Sequence, residues 1–138
     1  MPTYTSIVSL QQAIEKGVTK AVDTTCKRLL GTLQQFIDND YYGGYEPIYY
    51  KRTNQFYSSA ISRMVGSMTG EILMDAGLMS YKPGWTGEAQ IESANKGLHG
   101  GWDVGDDSHY WTSFIEFCDK NAKNILKEEL RKNGINVK

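Results

Sequence analysis

Apolar residues recur at three- and four-residue steps from residue 9 to residue 38, where Leu10, Ile14, Val18, Ala21, Val22, Leu29, Leu33 and Ile37 alternate with Gln11, Glu15, Lys16, Lys20, Lys27 and Gln34. The pattern predicts an amphipathic helix. Ser9 is the expected N-cap, and Asn39-Asp40 followed by Gly43-Gly44 the expected end, which makes a rod on the order of 40 Å at about 1.5 Å per residue. In a chain of 138 residues such a rod is expected to extend past its own core. Gly17 and Gly31 each weaken it by about 1 kcal/mol relative to Ala, so a bend or a close helix contact is expected at either.

A second apolar stripe near the carboxy terminus runs through Trp111, Phe114, Ile115, Cys118, Ala122, Ile125, Leu126 and Leu130. Ser108 is its expected N-cap, Lys127, Arg131 and Lys132 suit the negative helix end, and Gly134 supplies the stop. Between the two helices the period changes. Residues 51–58 predict a short helix capped by Thr53; residues 60–65 and 71–76 predict an antiparallel pair, with Gly66 and Gly70 of GSMTG suiting the turn. Residues 77–107 are rich in glycine, with one further strand expected at 88–93 inside a projecting loop. The predicted fold class is α+β: a long N-terminal helix, a small antiparallel sheet with a long loop, and a long C-terminal helix, forming one domain over residues 1–138.

Charge and composition narrow the function classes. Fifteen Lys and Arg against 16 Asp and Glu give a net charge of -1, which supplies no global attraction to phosphate and argues against sequence-specific DNA binding. No apolar run approaches the roughly 18 residues that span a bilayer. The opening MPTYTSIVSLQQ lacks a basic start and a continuous apolar stretch, so synthesis and use without export are expected. Cys26 and Cys118 fall on or beside the two helical stripes, where reduced, buried cysteine usually sits.

Residues 41–61, YYGGYEPIYYKRTNQFYSSAI, concentrate tyrosine in an irregular segment. Tyrosine offers a large, stiff contact area with a polar tip, which suits it to gripping another protein. Tyr41, Tyr42, Tyr45, Tyr49, Tyr50 and Arg52 are therefore candidate interface residues; the same rings equally suit the protein's own core. Met64, Met68, Met74 and Met79 cluster in or after the predicted hairpin, as core filler or as an adaptable contact surface. Met64 and Met68, with Trp85 and His99 from the long loop, complete the candidate interface.

The best catalytic candidate is residues 99–109, HGGWDVGDDSH, where His99 and His109 stand near Asp103, Asp106 and Asp107. Such a set suits a divalent metal that activates water for phosphodiester cleavage, which makes a small metal-dependent nuclease the alternative reading. Against it, no dedicated ligand motif is present, and Asp-Asp before Ser-His is also how a helix begins. GLHGG at residues 97–101 is neither a dinucleotide fingerprint nor a Walker loop. The expectation is no catalytic residue, no metal and no cofactor.

Tyr50, Arg52, Thr53 and Ser59 form a Y-x-R-T-x-x-x-x-x-S pattern that, with Pro47, Phe56 and Ile61, leads into the hairpin; Gly97, His99 and Gly100 follow, then Trp111 and Phe114 open the last helix. In this order of elements the chain resembles the small neck or tail-completion proteins of tailed bacteriophages and prophages, over most of its length. The resemblance implies a non-enzymatic virion protein, a homo-oligomeric ring at the head-tail junction. Its partners would be a portal or adaptor and tail proteins, with DNA passing through unread and no membrane involved. A minor capsid component would fit the same residues. A heterologous ring needs two different patches on one subunit, and the Tyr segment and the Met-rich hairpin with its loop are the two expected.

Overall fold

The computed structural model describes residues 3, 6–43, 54–99, 102–103 and 109–138. The N-terminal helix α1 spans Ile7–Phe36 and starts one turn earlier than its stripe suggests, because Ser6 and Ser9 form a reciprocal capping box. Ser6 Oγ accepts the Ser9 N–H at 3.1 Å, and Ser9 Oγ accepts the Ser6 N–H at 3.3 Å. Ser9 is thus the third residue of the first turn and not the N-cap.

α1 passes without a break into a π-helical turn, Ile37–Tyr42, closed where the Gly43 N–H bonds the Asp38 carbonyl five residues back at 3.0 Å. Beside Cys26, the buried positions are Ala21, Thr25, Leu29, Leu33, Ile37 and Tyr41, every fourth residue. At 3.6 residues per turn such a stripe drifts around the rod; the wider π turn keeps Ile37 and Tyr41 in line with Leu33.

The C-terminal helix α4, Tyr110–Lys132, runs antiparallel to α1. Phe117 meets Phe36 edge-on at 6.4 Å, and Arg28 reaches Glu128 and Glu129 at 3.0 and 2.9 Å. A Cβ on Gly17 would lie 3.3 Å from the Asn133 carbonyl oxygen and from Ile135, so glycine permits the close approach expected there. The helix ends as expected at Gly134, with φ of 79° and the Ile135 N–H returning to the Leu130 carbonyl. Its start is held from elsewhere: Asn95 Oδ1 accepts the Trp111 and Thr112 N–H groups at 2.9 and 3.1 Å. Ser108, the expected cap, lies outside the described residues.

Strands β1 (Ala60–Gly66) and β2 (Thr69–Met74) form the expected antiparallel hairpin. Its turn is Ser67-Met68, with Met68 at φ 60°, while Gly66 and Gly70 belong to the strands. Gly70 serves packing instead: a Cβ there would come within 2.7 Å of Cys26 Sγ, so the absence of a side chain lets the hairpin lie on α1. That contact defines the face toward α1 as Ala60, Ser62, Met64, Gly70, Ile72 and Met74, with Ile61, Arg63, Leu73 and Glu71 on the other.

The short helix α2, Gln55–Ser58, follows Asn54 at φ 60°, and Thr53 lies outside the described residues. The strand expected over 88–93 is a helix, α3, Gly87–Ala94. Thr86 Oγ1 caps it by accepting the Ala89 N–H at 3.1 Å, and Ala, Gln and Glu favour it. A second ladder, missed in the sequence, pairs β3 (Leu98–His99) with β4 (Trp102–Asp103). The architecture is α+β, with Leu29, Leu33, Ile37, Tyr41, Phe56, Tyr110 and Phe114 in one shared core.

Glu129 is a buried carboxylate on α4 that receives Lys132 and Arg28. The Lys132 hydrogen bond first, then Arg28, hold it below the usual carboxylate range against the opposing cost of burial. A depressed folded-state pKa stabilises above the unfolded value of about 4.3, and that stability is lost as pH falls through the lowered value. Thermal melts between pH 3 and 7 are expected to show this acid loss in the wild type and a shallower one in Glu129→Gln. Parallel pH profiles for the two proteins would remove Glu129 from the acid transition.

Candidate assembly surface

The aromatic residues proposed for an interface divide sharply once folded. Tyr41, 5% exposed, stacks on His99 with centroids 4.3 Å apart and planes 5° apart, and meets Phe56 edge-on at 4.8 Å. Phe56 meets Tyr110 in turn at 5.0 Å. Gln90 Nε2 donates to the Tyr41 hydroxyl at 2.7 Å, and Trp85 Nε1 donates to Gln90 Oε1 at 3.0 Å. Tyr41 and His99 are therefore core residues, not interface residues: stacked rings with satisfied polar tips gain more from burial together than from waiting at a surface. Trp85 is half-buried and tied to the same network. Tyr42 is half-buried, its hydroxyl accepting the Tyr57 N–H at 3.2 Å.

Burial, with Tyr42 nearby, raises the Tyr81 hydroxyl to a pKa of about 12, and burial followed by Tyr41 raises that of Tyr110. Neither phenol is poised to ionise near neutral pH. Desolvation likewise pushes the Cys26 and Cys118 thiols up, with Asp23 and Asp119 adding to it; both cysteines are free.

Tyr45, Tyr49, Tyr50 and Arg52 lie outside the described residues, as do Asp106 and Asp107 of the acidic loop. The structure separates the two histidines of that loop in role. His99 is in the core stack, whereas His109 is exposed and donates through Nδ1 to the Asn95 carbonyl at 2.7 Å. Among the described residues no three His, Cys, Asp or Glu side chains are grouped to hold a metal ion.

Exposed apolar side chains gather at one end of the molecule instead. Ile7, Val8, Leu10 and Ile14 on the first turns of α1 are 74%, 61%, 40% and 45% exposed. The hairpin tip reaches the same region: the Met68 N–H donates to Thr19 Oγ1 at 3.2 Å, Ser67 bonds Glu15, and Val65 and Met68 stay exposed. Met64 is half-buried beside Gly70. Of the proposed interface residues among those described, Met68 is the one placed openly on this surface. Leu10 and Ile14 belong to the helical stripe, and the expectation that the rod extends past its own core was the signal that part of the stripe lies uncovered. Trp102 on β4 also stands exposed, away from any sequence expectation.

Residues 6–133 match the family described as YomN. This chain belongs to the YomN family. The family is phage-derived and prophage-like, which places this YomN-family chain among proteins of phage or prophage origin. No curated protein and no solved structure shows significant similarity to it. Among the described residues no helix is long and apolar enough to cross a membrane.

Proposed function

We propose that this YomN-family chain is a non-enzymatic virion protein that assembles as a ring at the head-tail junction of a tailed phage or prophage. It joins a portal or adaptor to the tail and leaves a passage for DNA. The observation that carries the reading is the cluster of Ile7, Val8, Leu10, Ile14, Val65 and Met68 exposed at one end of a protein of phage origin. Scattered apolar residues are ordinary on a surface, but four exposed on the first turns of one helix, with Val65 and Met68 exposed on the hairpin nearby, suit an interface with another protein. The cluster replaces Tyr41 and His99 as the contact surface, and it leaves the near-neutral charge compatible with DNA that must slide past without being held.

Particles made with a tagged copy test the reading directly. The tag is expected at the junction of head and tail by immunogold labelling, and deletion of the gene is expected to leave filled heads and tails unjoined. Purified particles that lack the tagged protein, or that join normally without the gene, refute it.

A further inference from the structure

The register of the hairpin settles which backbone groups point away from it. The Asp75 N–H bonds the Ser59 carbonyl at 2.7 Å, so Ile61 with Leu73 and Arg63 with Glu71 are the hydrogen-bonded pairs. The N–H and C=O groups of Ile72 and Met74 on β2, and of Ser62 and Met64 on β1, therefore face outward, and among the described residues none has a backbone partner beyond the hairpin. Among the described residues the two-stranded sheet thus has two open edges, where a hairpin without further strands is marginal. Neither strand carries the lysine or proline that ordinarily blunts an edge, and the only charges, Arg63 and Glu71, are spent on each other.

Each edge opens into its own groove. Beside β2 is an apolar cavity of about 400 Å³ lined by Ile72, Met74, Ile91, Tyr110 and Trp111, with Glu92 and Lys96 on its rim. Beside β1 is a more open groove of about 580 Å³ in which Met64 faces Glu15, Lys16, Lys20 and Asp23 of α1. Glu92 and Lys96 on the rim of the first already pair with each other at 3.0 Å, and the two sides are unlike in shape and in the residues that line them. That is the requirement for a heterologous contact between copies, in which one patch of a subunit meets a different patch of the next.

We infer that the hairpin is continued from copy to copy: the β2 edge of one subunit pairs antiparallel with the β1 edge of a second copy of this chain. The inference rests on the ring reading and names its subunit contact. Repeating the same rotation keeps every new pair antiparallel, and where that rotation divides a full turn the contact closes into a ring lined by one sheet.

Ser62→Pro removes an outward N–H from β1 and no hairpin bond; Leu73→Lys puts a charge in the β2 groove from the face away from α1. Each variant keeps one working edge. Sedimentation at rising concentration is expected to show oligomers for the wild type. Each variant alone is expected to dissociate with a constant raised roughly thirtyfold or more, and an equimolar mixture is expected to form dimers joined by the one intact pair of edges. Far-UV circular dichroism checks that each variant folds, and Ile61→Lys, on the face away from α1, burdens the β1 edge with a charge should the proline disturb it. A wild type monomeric at millimolar concentration, a folded β1-edge variant that assembles normally, or a mixture that stays monomeric overturns the pairing. Particles that carry wild type and Ser62→Pro equally at the neck overturn it too, while leaving the virion reading intact.

Discussion

Tyr41→Ala is expected to cripple the fold itself, lowering stability by about 3–5 kcal/mol, the usual cost of truncating a buried aromatic. The substitution removes the ring on which His99 stacks and against which Phe56 packs, and it strips the acceptor from the buried Gln90 amide. A drop in Tm of more than about 10 °C follows for a domain of this size. Tyr41→Phe separates the contributions, since it keeps the stack and loses only the hydroxyl, at about 1–3 kcal/mol for the unpaired donor. Thermal unfolding of the three proteins decides the matter. If Tyr41→Ala melts like the wild type but fails to enter particles, the ring belongs to an interface after all, and the core described around it is wrong.

The opposite behaviour is expected of Ile7→Ser, Leu10→Ser and Ile14→Ser combined. Ile7 is 74% exposed and Ile14 and Leu10 are 45% and 40% exposed, outside the buried core, so their loss should change stability by no more than about 0.5 kcal/mol each. Incorporation into particles should nevertheless fall at least tenfold, because apolar anchors at an interface center commonly contribute about 2 kcal/mol or more apiece. A melting curve and a particle-bound fraction measured on the same preparation give both answers. Normal incorporation of the triple variant removes this end of α1 from assembly and with it the main support for the ring.

The long helices and the hairpin were legible because each carries a sustained period, and an error of one turn at Ser9 did not disturb the stripe that follows. Short elements lacked that redundancy. In α3 the run GEAQIESA is too brief to show a helical face, and its flanking glycines suggested a loop with a strand; the Thr86 cap was the available clue. The hairpin turn was misplaced by trusting glycine, when Gly70 is needed for the approach to Cys26 and Met68 takes the left-handed position. Which tyrosine is inside was not legible at all. Tyr41 and Tyr42 are neighbors of the same type, and their different burial follows from a π turn and from partners at Gln90 and His99, far along the chain.

The capping box at Ser6 and Ser9 has a thermodynamic consequence for whatever meets this end of the protein. It secures the first turn of α1 in the free chain, so Ile7, Leu10 and Ile14 are presented on a formed helix before any encounter. Docking onto a preorganised face avoids the ordering entropy that coupled folding incurs, which is commonly about 2–5 kcal/mol. The heat-capacity change of association should then track the apolar area covered, with no added component from helix formation.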